Sequence, residues 1–330
     1  MFALLKYMVK KILRVDRRRS RRRFLSDEEI FWTNTHEPKL DTRTHDEAWI
    51  VIQYHIIEKG LTMPDRHMAF GIKVVSTLMA SVNEYIKKWN ELPKPLVHAI
   101  GVIKAYHALH EVAGYEFRED QVFWNSICMF IKQYPNVPIA FQRHETYDRF
   151  YSKRNSSFPL FAQSRHTLRH YSDKPIPKYK IIESVKLAMT APSACNRQHV
   201  RVHCIANRDF SHKILDVQGG NRGFGHMADK ILIVTSDLSV EMGERERNDP
   251  YVNGGIFLMN LCYALHYNEI AHCILSCSIT QERLSQIRTM AAIPEKEVLI
   301  AILSCGMAPA CFDVATSPRK NVDDILLYRE

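Results

Sequence analysis

Lys230-Ile231-Leu232-Ile233-Val234-Thr235-Ser236 is a short apolar run rich in β-branched side chains, and it reads as a strand. On either side of it the texture is mixed. Upstream, a helix is expected around Lys178–Thr190, then a loop, then a strand at His199–Ala206. Downstream, a long apolar helix is expected from about Gly254 to Tyr267, with strands near Ile270–Ser276 and Val298–Gly306. The closing stretch, Asp323-Asp324-Ile325-Leu326-Leu327-Tyr328-Arg329-Glu330, fits a terminal strand or a short helix.

Residues 45–150 differ. Apolar side chains recur three to four positions apart through HDEAWIVIQYHIIEKGL, NEYIKKWNEL, PLVHAIGVIKAYHALHEVAG and EDQVFWNSICMFIKQY, which predicts helices punctuated near Gly60, Pro64, Pro93, Gly114 and Pro135. The polar, proline-ended stretch 143–159 is the expected linker. The chain thus divides into a basic tail and linker (1–44), a helical domain (45–150) and an α+β domain (151–330). With 330 residues, of which 46% are hydrophobic and 25% charged, both domains have the means to bury a core.

The net charge of +9 is local. Residues 1–23 carry ten Lys or Arg against one acid, Asp16, so the rest of the chain is near neutral. That argues against a nucleic-acid-binding face. Phe2, Leu5, Val9, Ile12 and Leu13 stand at helical spacing among Lys6, Lys10, Lys11 and Arg14, a pattern that fits either an anionic membrane surface or a solvated helix. No stretch approaches the ~20 apolar residues of a spanning helix. The eight cysteines include no C-x2-C pair, which fits reduced thiols in a cytoplasmic protein and offers no metal site.

Three segments carry chemistry: Ser164-Arg165-His166-Thr167-Leu168-Arg169-His170-Tyr171, Ala191-Pro192-Ser193-Ala194-Cys195-Asn196-Arg197-Gln198, and Ser317-Pro318-Arg319-Lys320. Cationic clusters at opposite ends of one domain make sense if both converge on a phosphate, for which guanidinium offers a two-pronged donor and threonine a hydroxyl. The middle segment carries small residues able to approach a flat ring closely.

In this order the segments resemble the nitroreductase family, whose pattern opens with R-[RH]-S-x-[RK]-x-[FY], continues with A-P-S-x-x-N-x-Q-P-W and closes near P-R-[RK]. The resemblance covers about the last half of the chain. It implies an α+β fold, a small mixed sheet flanked by helices in an intertwined homodimer, here preceded by an all-α N-terminal domain. It also implies FMN as cofactor and NAD(P)H as co-substrate. Arg165 and Arg319 would hold the FMN phosphate, with His166 and Thr167 supporting phosphate and ribityl chain. Arg169 would sit near the pyrimidine edge, where negative charge develops on reduction. Pro192, Ser193 and Ala194 would pack on the ring of the partner subunit's flavin, and Asn196 would brace their loop. Asn221 would bond the flavin edge, with a turn residue as its rival reading. Leu275, Ser276 and Cys277 would lie beside the dimethylbenzene or N5 side, although core packing accounts equally for the apolar members.

The implied activity is ping-pong hydride transfer from NAD(P)H to a nitroaromatic, quinone or similar acceptor. Two departures set up a rival, a flavin-fold binding or assembly protein without redox turnover. The family's Q-P-W reads Gln198-His199-Val200, and the cover segment Ser236–Asn253 is short. The stretch His55-Ile56-Ile57-Glu58-Lys59-Gly60-Leu61 resembles helical extensions of nitroreductase-like proteins associated with surface-polysaccharide gene clusters. If the helical domain docks on the flavin cleft, His55, Glu58 and Lys59 are the residues expected to reach it. His107 and His110 read as ordinary histidines, and Gly223–Ala228, although it fits G-x-G-x-x-A, lacks the strand–helix frame of a dinucleotide site.

Overall fold

The computed structural model describes residues 15–35 and 42–330. The amphipathic pattern at 2–13 lies outside them. The fold is α+β: an all-helical N-terminal region followed by a sheet with helices on both faces.

Helix α1 (Val15–Thr35) contains the arginine run, with Arg17, Arg18, Arg19, Arg21, Arg22 and Arg23 exposed. The helical unit follows, with α2 (Arg43–Leu61), α3 (Ile72–Trp89), α4 (Lys94–Val112) and α5 (Gln121–Lys132). They close over a core that includes Ile57, Leu78, Val82, Ile100, Ile103 and Tyr106. Thr42 caps α2 by accepting from His45 N, and Gly60 lets the Phe70 ring pack flat on the helix end, where a Cβ would collide with it. His110 is buried and satisfied on both sides, bonding Tyr106 O through Nδ1 and accepting from Ala69 N at Nε2. His107 stacks on Trp124. Both are structural.

The stretch expected to be a linker contributes regular structure. β1 (Arg143–Thr146) pairs antiparallel with β6 (Cys311–Val314), and α6 (Tyr147–Tyr151) buries Phe150 and Tyr151 in the core of the α+β unit. After α7 (Phe158–Ser164) and α8 (Lys178–Ala188) come β2 (Val200–Ile205), α9 (Arg208–Gln218), β3 (Lys230–Asp237), α10 (Asp249–Tyr267), β4 (Ile270–Ser276), α11 (Gln281–Met290) and β5 (Glu297–Met307). The strands order as β2-β3-β5-β4, and each of these three pairings is antiparallel.

Strand β3 is apolar without alternation because both of its faces are covered. Ile231 and Ile233 enter the core under α9 and α11, whereas Leu232 and Val234 enter the core under α8 and α10. A single 3-10 turn at Val322–Asp324 takes in the first two residues of 323–330, and no regular element follows it; Ile325, Leu326, Leu327 and Tyr328 are exposed.

Candidate functional site

Ser164–Arg169 leaves α7 and runs beside the start of β4. Ser164 Oγ meets His266 Nε2 at 3.0 Å, and Leu168 N donates to His272 O. Both histidines are buried, and this packing fixes the segment from beneath. Three arginines surround His166. Arg143 Nη1 donates to its Nε2 at 2.9 Å, and Arg165 and Arg319 lie close enough to disfavour its protonation. Burial first, then these three charges, pull His166 down to about 4, so it is a neutral imidazole at pH 7.

Arg143 is paired with Glu145 at 2.8 Å. Among the described residues no carboxylate lies within salt-bridge reach of Arg165, Arg169 or Arg319, and Arg319 Nη1 bonds only Ser317 O, at 3.0 Å. The two ends of the α+β unit therefore meet in a cationic cradle that lacks an anion. Thr167 is half-buried between Arg165 and Arg169 in sequence.

The helical unit reaches this place. Glu58 on α2 accepts from Ser317 N and Oγ, and Lys59 lies near Arg169 and Cys273. Met63 packs against Gly223, and Arg66 pairs with Asp313 at 3.9 Å. Burial, and then Arg169, hold the Lys59 ammonium below its usual range.

The remaining candidates fall in two places. Asn221 is buried and its amide donates to Leu215 O at 2.5 Å, tying the turn to the end of α9; a Cβ on Gly225 would overlap it. Leu275 is buried, Ser276 is exposed, and Cys277 is half-buried with its thiol pushed by burial up to about 11, which keeps it protonated. Pro192 and Ser193 line a separate groove of about 450 Å³ with Ile182, Met189 and Phe257, whose walls share no residue with the cradle, and Ala194 beside them donates its N–H to Asn253 Oδ1 at 2.9 Å. Asn196 has φ +55° and accepts from Gln198 Nε2 at 3.0 Å, within its own loop.

Sequence reasoning passed over Arg197. Its guanidinium lies 2.6 Å from Glu246, 3.2 Å from Glu241 and 3.4 Å from Asp249, tying the Pro192–Gln198 loop to the cover segment. These three carboxylates are spaced as metal ligands would be, but Arg197 already supplies their positive charge. His199, which stands where the family pattern has proline, is fully buried with Nδ1 2.8 Å from Glu241. The departure therefore has an acidic neighbour, although the contact lacks the angles of a hydrogen bond. Arg247 of the same segment grips Asp27 of α1 through two contacts of 2.6 Å.

Residues 162–221 match the sequence model of the Nitroreductase family. Among solved structures, a nitroreductase family protein from Streptococcus pneumoniae aligns with 17% identity and a TM-score of 0.46, over 52% of this chain and all of its own. An FMN-dependent nitroreductase from Clostridium difficile aligns with 17% identity and a TM-score of 0.40, over 50% of this chain and 92% of its own. No curated protein matches the chain.

Proposed function

We propose that the chain is an FMN-dependent NAD(P)H oxidoreductase of the nitroreductase type. The observation that carries this reading is the anion-free cradle at His166. Arg165 and Arg169 are half-buried and Arg319 is exposed. Half-buried guanidinium groups without counter-charge are costly, and a phosphate ester would satisfy them, with Arg319 free to close on it from the solvent side. The match over residues 162–221 supports the same reading, since it contains Arg165, His166, Thr167 and Arg169.

In this reading Arg165 and Arg319 bind the phosphate, and neutral His166, with Thr167, contacts its oxygens or the ribityl chain. When bound, the flavin would supply a two-electron centre reduced by NAD(P)H and reoxidised by a nitroaromatic, quinone or similar acceptor. Arg169 and Lys59 place positive charge where the ring would gain negative charge. Met63, Lys59 and the end of α2 exclude water from the cleft, the role of a lid in such sites. Pro192, Ser193 and Ala194 act across a homodimer interface. The association with polysaccharide synthesis rests on the His55–Leu61 resemblance alone, and contact of residues 1–23 with anionic membranes rests on their charge.

The test is the absorbance spectrum of purified protein. A flavin band near about 450 nm, lost on denaturation and restored by added FMN, supports the assignment. Colourless protein that takes up no FMN sinks it. Bound FMN without NAD(P)H oxidation would favour the binding-protein alternative. Deletion of residues 1–23 should abolish binding to anionic vesicles without changing flavin content, and unchanged vesicle binding would show a solvated tail.

A further inference from the structure

Glu58 is fully buried and accepts four hydrogen bonds. Two come from its own helical unit, His55 Nδ1 at 3.2 Å and His98 Nε2 at 2.8 Å. Two come from the other end of the chain, Ser317 N at 3.2 Å and Ser317 Oγ at 3.3 Å. Burial works against the charge, yet these donors outweigh it and hold the carboxyl down at about 2. Glu58 is thus a fixed anion whose partners are placed by two separate parts of the molecule.

What it holds is unusual. Ser317 has φ +39°, the left-handed region that costs a non-glycine residue on the order of 1 kcal/mol and persists only when surroundings impose it. In that conformation Ser317 O receives Arg319 Nη1. The preceding Thr316 is fixed as well, with its N donating to Gln142 Oε1 and its Oγ1 to Phe141 O. Arg319 itself is exposed and follows an exposed proline, so its bond to Ser317 O is what aims it. Arg165, by contrast, leaves a helix packed over His266 and His272. One side of the cradle is built on the α+β unit and the other depends on a carboxylate from α2.

We propose that Glu58 is a positioning residue for the phosphate of FMN: by holding Ser317 in its left-handed conformation, it aims Arg319 at the site shared with Arg165 and His166. The helical unit is then a structural half of the cofactor site as well as a cover over it. This rests on the FMN reading above and goes beyond it, because a mere domain contact would affect stability without distinguishing flavins by their phosphate.

The experiment uses the full-length apoprotein and two probes, FMN and riboflavin, followed by flavin fluorescence quenching. Wild-type protein should prefer FMN. Glu58→Gln should weaken FMN binding about tenfold or more, the scale of a charge-assisted hydrogen bond, and leave riboflavin within about twofold. Ser317→Ala, which acts from the other end of the contact and spares the buried carboxylate, should reduce the same preference by a smaller factor. Glu58→Gln combined with Arg319→Ala should match Arg319→Ala alone. Equal losses for both flavins, or an unchanged FMN preference in both variants, overturns the positioning role while leaving the FMN assignment intact. Wild-type protein that binds neither flavin, or both equally, overturns the phosphate assignment and the positioning role with it.

Discussion

Arg143 Nη1 donates to His166 Nε2 across 2.9 Å, and this fixes the imidazole's tautomer. With Nε2 accepting, the ring proton is on Nδ1, and the neighbouring Gln163 backbone favours a proton on the ring. His166 is therefore oriented from both sides before any ligand arrives, and Glu145 compensates the charge of Arg143. The two arginines left over, Arg165 and Arg319, come from positions 154 residues apart (319 − 165) and are the ones available to an anion.

Removing either should weaken FMN binding. Arg165→Ala or Arg319→Ala should each cost roughly 1.5–3 kcal/mol, about ten- to a hundredfold in Kd, with riboflavin much less affected. Flavin titration of the apoprotein measures this. If both variants keep wild-type FMN affinity, the phosphate is bound elsewhere.

Lys59 should tune the flavin rather than hold it. Lys59 and Arg169 lie close together, and among the described residues neither has a carboxylate in salt-bridge reach. Replacing Lys59 with Met removes one positive charge near a ring that becomes more negative on reduction. The midpoint potential should fall by roughly 20–50 mV, the scale of a charge acting through a partly screened path. Equilibration against reference dyes reads it out, and an unchanged potential would remove Lys59 from the ring's surroundings.

Much of the α+β unit is legible in the sequence because its central strands are covered on both faces. Lys230–Asp237 and Ile270–Ser276 are short, apolar and β-rich, and the structure places strands there. Helix α11 escapes because Ile287 is its one fully buried side chain, so no apolar periodicity marks it. Strand β1, Arg-His-Glu-Thr, has no strand signal of its own and exists through its pairing with β6. The cationic motifs at 165–169 and 319 can be read as a pair, but the element that joins them cannot. Glu58 can be read as a residue able to reach the cleft and Ser317 as part of the last cationic segment, but they are separated by 259 residues and their direct contact follows only from tertiary placement. The His199–Glu241 contact, which gives the departure from the family pattern an acidic neighbour, likewise follows from tertiary placement.

Helix α10 should bury its outer face against a second copy. Tyr251, Val252, Ile256 and Met259 are 57%, 58%, 41% and 39% exposed in the single chain, next to the apolar groove lined by Pro192, Ser193 and Phe257. A contiguous apolar surface of this kind marks an interface, and a two-fold dimer would place each loop near the other subunit's cofactor. Ile256→Asp with Met259→Asp should yield a monomer by light scattering, with loss of flavin in the same step. A monomeric variant that retains flavin as tightly as wild type would show that the ring needs nothing from a partner.

Acid should destabilise the fold through its buried histidines before it reaches most carboxylates. Burial, then neighbouring His272 and Arg165, hold His266 down at about 3; burial, with Arg165 also lowering it, holds His272 at about 4. His272 Nδ1 bonds Ile270 O, so Nε2 is the atom that must take the proton, and it has no hydrogen-bond partner among the described residues. Unfolded histidines titrate near about 6.5. Between that value and the folded ones the unfolded chain binds more protons, so stability is full above about pH 6.5 and falls as the pH drops toward 3–4, on the order of 3–5 kcal/mol per histidine. Glu58 adds a second loss over a lower window, from its unfolded value of 4.5 down to its folded value of about 2. His272→Asn offers a cleaner test than a hydrophobic replacement. An asparagine amide can reproduce the Nδ1 donation to Ile270 O but cannot titrate. Urea unfolding of this variant from pH 7.5 to 5 should show a shallower decline than wild type, even if its stability at pH 7.5 is lower. An identical slope would place the titrating groups elsewhere in the chain.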